Sequence, residues 1–110
     1  VYTFTEENMQ KIIENKLEEL RSICLSLNVK KLYLFGSAAT DTFTENSDID
    51  LLISFSESLS VEQYTDNYFN FYYKLKELFH RRIDLITEKN LSNPFFIESI
   101  NETKTLIYET

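Results

Sequence analysis

At 110 residues the chain has the length of one domain, enough for a moderate core and too short to add a separate cofactor domain, so residues 1–110 are expected to form a single unit. Its 18 acidic against 11 basic residues give a formal charge of −7, and no stripe of Lys and Arg is present to displace counterions from phosphates, which argues against long nucleic acid as a partner. No run is apolar enough for membrane insertion, no charged segment precedes an apolar signal core, and the lone Cys24 has no partner for an internal disulfide, so a soluble, reduced, cytoplasmic protein is expected.

From Thr5 to about Asn28, apolar residues at Met9, Ile12, Ile13, Leu17, Leu20, Ile23, Cys24 and Leu27 recur with the three-and-four spacing that predicts one amphipathic helix. Its other face is charged, and Glu14 and Glu18 form a like-charge i, i+4 pair that adds nothing to it. Two short apolar runs follow, Leu32 to Phe35 and Ile49 to Phe55, both predicted to be buried strands. Gly36, the only glycine, stands directly after the first of them, where backbone must turn sharply or let another group approach, and Ser37 comes next. Ten residues further on come Asp48 and Asp50. Strand side chains alternate, so the two carboxylates at i and i+2 are expected to project from one face as a pair of hard oxygen ligands suited to Mg²⁺. Asp-x-Asp alone is a weak signal, but Gly-Ser, a ten-residue spacer and Asp-x-Asp together arise by chance in about one chain of this length in a thousand at average residue usage.

Ser60 is placed to cap a second helix running to about His80. Tyr64, Tyr68, Phe69, Phe71, Tyr72, Tyr73, Leu75, Leu78 and Phe79 cover more of its circumference than one core-facing stripe needs. The surplus is either a helix packed on two sides or a surface for a partner. His80, the only histidine, sits at the helix end, where the dipole favours it as a cap. Arg82 to Thr87 reads as a third strand with Ile83 and Leu85 on one face and Asp84 on the other. Asp84 is then either a structural acid paired with Arg81, Arg82 or Lys89, or a functional acid beside Asp48 and Asp50. Asn93-Pro94 opens a last helix, and Thr105 to Tyr108 closes the chain as a strand. The order predicts an α/β (α+β) domain, a small mixed sheet with helices mainly on one face.

Gly36-Ser37, the spacer and Asp48-Ile49-Asp50, within the phrase LFGS…SDIDLL, resemble the signature of the nucleotidyltransferase superfamily that includes DNA polymerase β, and the short chain looks most like its minimal nucleotidyltransferases. The resemblance extends over nearly the whole chain. It implies the nucleotidyltransferase fold and transfer of a nucleoside monophosphate, AMP from ATP in the commonest case, to a hydroxyl. It also implies phosphate held at Gly36 and Ser37, Mg²⁺ (two ions possible) on Asp48, Asp50 and Asp84, and Asp84 as the third acid. The small relatives commonly pair with a helical HEPN-type protein, acting as the antitoxin that adenylylates the toxin, which makes such a protein the expected partner. A small-molecule acceptor is an alternative, as is a module that neutralises its partner by contact alone. Where members of the family often carry Arg-Gly after the Gly-Ser, this chain reads Ala38, Ala39, Thr40, Asp41, without a cation.

Overall fold

A computed structural model describes residues 9–39 and 48–110, the side chains of Met9, Gln10, Ser37 and Ala38 excepted. The first eight residues of the sequence and the spacer residues Thr40 and Asp41 therefore lie outside the described residues. The elements in chain order are α1 (Met9–Asn15), α2 (Leu17–Ser26), β1 (Val29–Phe35), a 3₁₀ turn (Gly36–Ala39), β2 (Ile49–Phe55), α3 (Val61–Phe79), β3 (Ile83–Thr87), a second 3₁₀ turn (Glu88–Asn90), α4 (Pro94–Thr103) and β4 (Thr105–Glu109). The four strands form one sheet in the order β3-β2-β1-β4. β1 is antiparallel to both β2 and β4, while β2 and β3 run parallel through the α3 crossover, so the sheet is mixed as the sequence predicts.

Alternation along the strands builds two cores. Leu32, Leu34, Ile49, Leu51, Ile53, Ile83 and Leu85 join Ile13, Leu20 and Cys24 and, from α3, Phe71, Leu75 and Phe79. On the other face Phe35 and Leu52 pack with Ile100 of α4, so three helices cover one side and one the other. Each fully buried Leu, Ile or Phe contributes about 1.5–3 kcal/mol relative to an exposed one, and this burial, more than helix propensity, fixes the arrangement. Cys24 is wholly buried, and desolvation pushes its thiol up to about 12, which leaves it an inert packing group.

The single N-terminal helix expected from periodicity is broken. Lys16 leaves the helical region (φ −112°, ψ 11°), and its N–H turns back to the Ile13 carbonyl, 3.1 Å. Packing explains the break: α1 sits against the 3₁₀ turn at Gly36–Ala39, with Ile13 and Ala39 in one cluster, while α2 lies against β1 and α3. No straight rod follows both surfaces, and the apolar spacing carries on across the joint without marking it.

α3 begins and ends at the residues its sequence indicates. Ser60 accepts from the Gln63 N–H (3.1 Å) and the Gln63 side chain accepts from the Ser60 N–H (2.9 Å), a reciprocal capping box. At the other end His80 adopts left-handed backbone (φ 54°) and donates its N–H to the Lys76 carbonyl, 2.8 Å. A Cβ in that region costs about 1 kcal/mol, so His80→Gly is expected to raise stability by about that amount in urea denaturation with no change in m-value. Asn93 accepts from the N–H groups of Phe95 and Phe96, capping α4 with Pro94 in its first turn.

The aromatic surplus on α3 resolves residue by residue. Tyr64, Tyr68 and Tyr72 are half-buried against the main core. Tyr64 meets the Phe55 ring edge-on, and the Tyr68 hydroxyl donates to the Leu85 carbonyl, 2.7 Å. The members that face solvent are Phe69 and Tyr73, 51% and 62% exposed and one helical turn apart on one face. Among the described residues no helix is long and apolar enough to cross a membrane.

Candidate active site

The end of β1 and the starts of β2 and β3 meet at one edge of the sheet. Register puts Phe35 opposite Asp50 and Asp50 beside Asp84, so the last residue before Gly36 and two of the three predicted acids occupy consecutive strands. Asp50 and Asp84 share the α4 face with Leu52 and Ile86, because Leu51 and Leu85 point into the main core. The two carboxyl groups are near enough for Asp84 to favour a proton on Asp50. Burial, then the charges of Asp84 and Asp48, push the Asp50 carboxyl up from 3.8 to about 6.

Gly36 shows why a glycine is needed at this point. Its φ is +68°, and an ideal Cβ built on it would lie 2.5 Å from Asp50 Oδ2. The Asp50 carboxylate therefore occupies space that any other residue would fill. The Gly36 N–H donates to Thr103 Oγ1 at the end of α4, 2.9 Å, tying the turn to the helix that covers this face. That amide has a partner within the fold. Ser37 follows on the 3₁₀ turn, its side chain outside the described residues.

Asp48 departs from the expected arrangement. It precedes β2, so strand alternation does not place it, and its carboxylate receives the Arg82 guanidinium: Nε to Oδ1 at 2.9 Å and a second N–H to Oδ2 at 3.4 Å. The Ile49 N–H donates to the Arg82 carbonyl, 3.0 Å, which brings the two side chains together. Arg82, suggested by the sequence only as a partner for Asp84, thus serves Asp48, and Lys89 lies over the Tyr64 ring. Among the described residues no three His, Cys, Asp or Glu side chains converge as a formed metal site. The donor chemistry nevertheless fits a hard cation: two adjacent carboxylates on neighbouring strands, one raised by burial and by the charges beside it, and a third within electrostatic reach.

Sequence reasoning did not single out Thr103 or Tyr68. Thr103 carries no motif, and its tie to Gly36 spans 67 positions. Tyr68 passed as one aromatic among many, although it is pinned to the residue after Asp84 and is near enough for the Asp84 charge to raise its hydroxyl pKa, after burial.

A mixed sheet that gathers a Gly-Ser turn and two aspartates at the starts of two adjacent parallel strands defines a phosphoryl-transfer domain of the nucleotidyl-transferring class. Residues 17–107 match the family model for the nucleotidyltransferase domain, and the chain belongs to that family. Two similar proteins are from Methanocaldococcus jannaschii. One, named Putative protein adenylyltransferase MJ0126, is 34% identical over 106 residues, covering 94% of this chain and 97% of the relative. The other, Putative protein adenylyltransferase MJ1379, is 38% identical over 80 residues, covering 73% and 76%. Among solved structures, one described as a putative minimal nucleotidyltransferase aligns with a TM-score of 0.68 at 23% identity over 92% of this chain and 97% of its own. A toxin–antitoxin complex with AMP-PNP gives 0.63 at 21% identity over 94% and 75%. A tri-AMPylated Shewanella oneidensis HEPN toxin in complex with an MNT antitoxin gives 0.61 at 15% identity over 88% and 72%. At these identities the structures establish the nucleotidyltransferase fold.

Proposed function

We propose that this nucleotidyltransferase moves AMP from ATP to a hydroxyl on a HEPN-type partner protein, as the antitoxin of a toxin–antitoxin pair, with Asp48, Asp50 and Asp84 as its metal-binding and catalytic acids. The observation that carries the reading is the Asp50–Asp84 pair, side by side on parallel strands next to a glycine that leaves room for it. The names of the adenylyltransferase relatives and of the antitoxin complexes support AMP as the group and a HEPN protein as the acceptor.

The roles follow from charge and position. Ser37 and the amides of its turn would take terminal phosphate oxygens, which leaves the pyrophosphate on the β1 side of the acids. Asp50 and Asp84, with Asp48, would hold Mg²⁺; that ion, when bound, neutralises charge on the triphosphate. In the transfer the acceptor oxygen bonds to the α-phosphorus, the bond from that phosphorus to the α–β bridging oxygen breaks, and pyrophosphate leaves with its electron pair. The hydroxyl proton passes to the Asp84 carboxylate, exposed at the edge strand. Arg82 is 82% exposed and, among the described residues, its guanidinium meets the surface carboxylate of Asp48, so it can exchange Asp48 for a phosphate and supply the cation missing after Gly36-Ser37. An ATP substrate and a buried free cysteine support a cytoplasmic setting.

The test is transfer of AMP from α-labelled ATP to a purified HEPN-type protein from the same organism, with and without Mg²⁺. Label on the partner that requires the ion is expected. Tight complex formation with no label under any divalent ion would replace the reading with neutralisation by contact, which the sequence Ala38-Ala39-Thr40-Asp41 in the place of Arg-Gly favours.

A further inference from the structure

Beside Asp84 a groove of about 530 Å³ opens along the outer edge of β3, lined by Tyr64, Tyr68 and Phe69 of α3, by Leu85 and Thr87 of β3, and by Phe96 at the start of α4. Hydroxyl and amide groups of Thr65, Asn90, Ser92 and Asn93 complete its wall, and no charged residue lines it, so it lacks a cation to attract a phosphate. Phe69 and Phe96 remain 51% and 38% exposed in its walls, apolar surface that water covers at a cost. The groove runs away from the acids: Leu85 follows Asp84, and the Tyr68 hydroxyl bonded to the Leu85 carbonyl marks where groove and acid pair join.

Strand order decides which substrate this serves. The Gly36–Ala39 turn ends β1, Asp50 lies on β2, Asp84 on β3, and the groove lies beyond β3. Neighbouring strands are about 4.8 Å apart, so turn and groove flank the acid pair on opposite sides. Displacement at phosphorus sets the attacking oxygen and the leaving oxygen roughly in line. With pyrophosphate departing on the β1 side, the acceptor must arrive from the β3 side, through the mouth of this groove.

We propose that the groove is the acceptor-docking site: it receives an extended segment of the partner protein whose apolar side chain, about three residues from the acceptor hydroxyl, seats between Phe69 and Phe96 while the hydroxyl reaches Asp84. The spacing follows from the three β3 residues, Leu85 to Thr87, along which the groove runs, since an extended segment advances about 3.3 Å per residue. An edge strand is suited to such a guest, because alternate side chains of an extended chain lying along it face the groove, although the Tyr68 hydroxyl already holds the outward Leu85 carbonyl. Phe69 and Tyr73, one turn apart on the same face, extend the apolar surface beyond the groove.

This inference rests on the proposed function, and its test separates the two. Phe69→Ala and Thr65→Arg, both at exposed positions of α3 that line the groove, are expected to raise KM for the HEPN-type acceptor at least about tenfold. ATP affinity should stay within about twofold and the melting temperature should hold. A photo-crosslinking phenylalanine at position 69 should capture one segment of the partner within about five residues of its adenylylated hydroxyl. Loss of ATP affinity with acceptor KM unchanged would make the groove a seat for the base and overturn the proposal. So would label transfer with acceptor KM unchanged and no crosslink, which leaves the function standing. The crosslink reads docking and not chemistry, so a captured segment on a partner that never receives label counts against the adenylyl transfer and for the groove.

Discussion

Asp50→Asn should cut nucleotidyl transfer by at least about 10³-fold, roughly 4 kcal/mol of transition-state stabilisation, and yet make the metal-free protein more stable at pH 7. Both effects come from one carboxylate that is half-buried and beside the charges of Asp84 and Asp48, which together lift it from 3.8 to about 6. Between those values the folded state keeps a proton that the unfolded state has released, so the stability of the wild type falls as pH rises through that window. The full shift corresponds to about 3 kcal/mol, and partial exposure to solvent screens it to about 1. Asn carries no charge and can donate to Asp84 instead. In chelator at pH 7 the variant is therefore expected to melt about 4 °C higher, with the difference shrinking as pH falls through about 6 and vanishing only well below 3.8, where Asp50 is protonated in both states. Adding Mg²⁺ should raise the melting temperature of the wild type and leave the variant where it was. A variant that melts lower than the wild type at pH 7 in chelator would show that Asp50 carries no unrelieved charge, and the metal assignment would lose its physical basis. Asp84→Ala offers a complementary check: a strong loss of rate with little change in melting temperature marks a functional acid, and the reverse marks a structural one.

The local devices were legible in the sequence because each needs only neighbours. Ser60 and Asn93-Pro94 announce α3 and α4 through caps that bond within three residues, and the Gly-Ser turn after an apolar run announces the end of β1. Asp84 could be placed beside Asp50 only through the family resemblance, since the pairing depends on β3 lying parallel to β2 in one register. The misplacement of Asp48 has the same origin. Alternation was extended one residue beyond the strand, and nothing local reveals that Arg82 waits across the sheet edge. The break at Lys16 and the burial of Tyr64, Tyr68 and Tyr72 were hidden for a related reason: periodicity records which residues are apolar and not which surface receives them. Phe69 stayed hidden among those tyrosines, and its exposure is decided by the groove it borders.

Gly36→Ala is expected to be among the most damaging single changes of one methyl group in this chain. Two costs are separable in principle. The left-handed backbone at φ +68° costs an alanine about 1–2 kcal/mol wherever it occurs. The new Cβ also meets Asp50 Oδ2 at 2.5 Å, and Asp50 is a short side chain on a central strand, flanked by Asp84, with little freedom to retreat. Something must move by several tenths of an ångström, for a total of about 3 kcal/mol by chemical denaturation. Activity should fall about 10²-fold or more even in the folded fraction, because the carboxylate that gives way is the one the chemistry needs in place. The double variant Gly36→Ala with Asp50→Ala isolates the contact. Removing the carboxylate removes the collision and leaves the backbone cost, so Gly36→Ala should cost about 1–2 kcal/mol in the Asp50→Ala background against about 3 in the wild type, a coupling of about 1 kcal/mol or more. Strict additivity of the two substitutions would mean that the alanine methyl never reaches Asp50, and that the glycine is there for the turn alone.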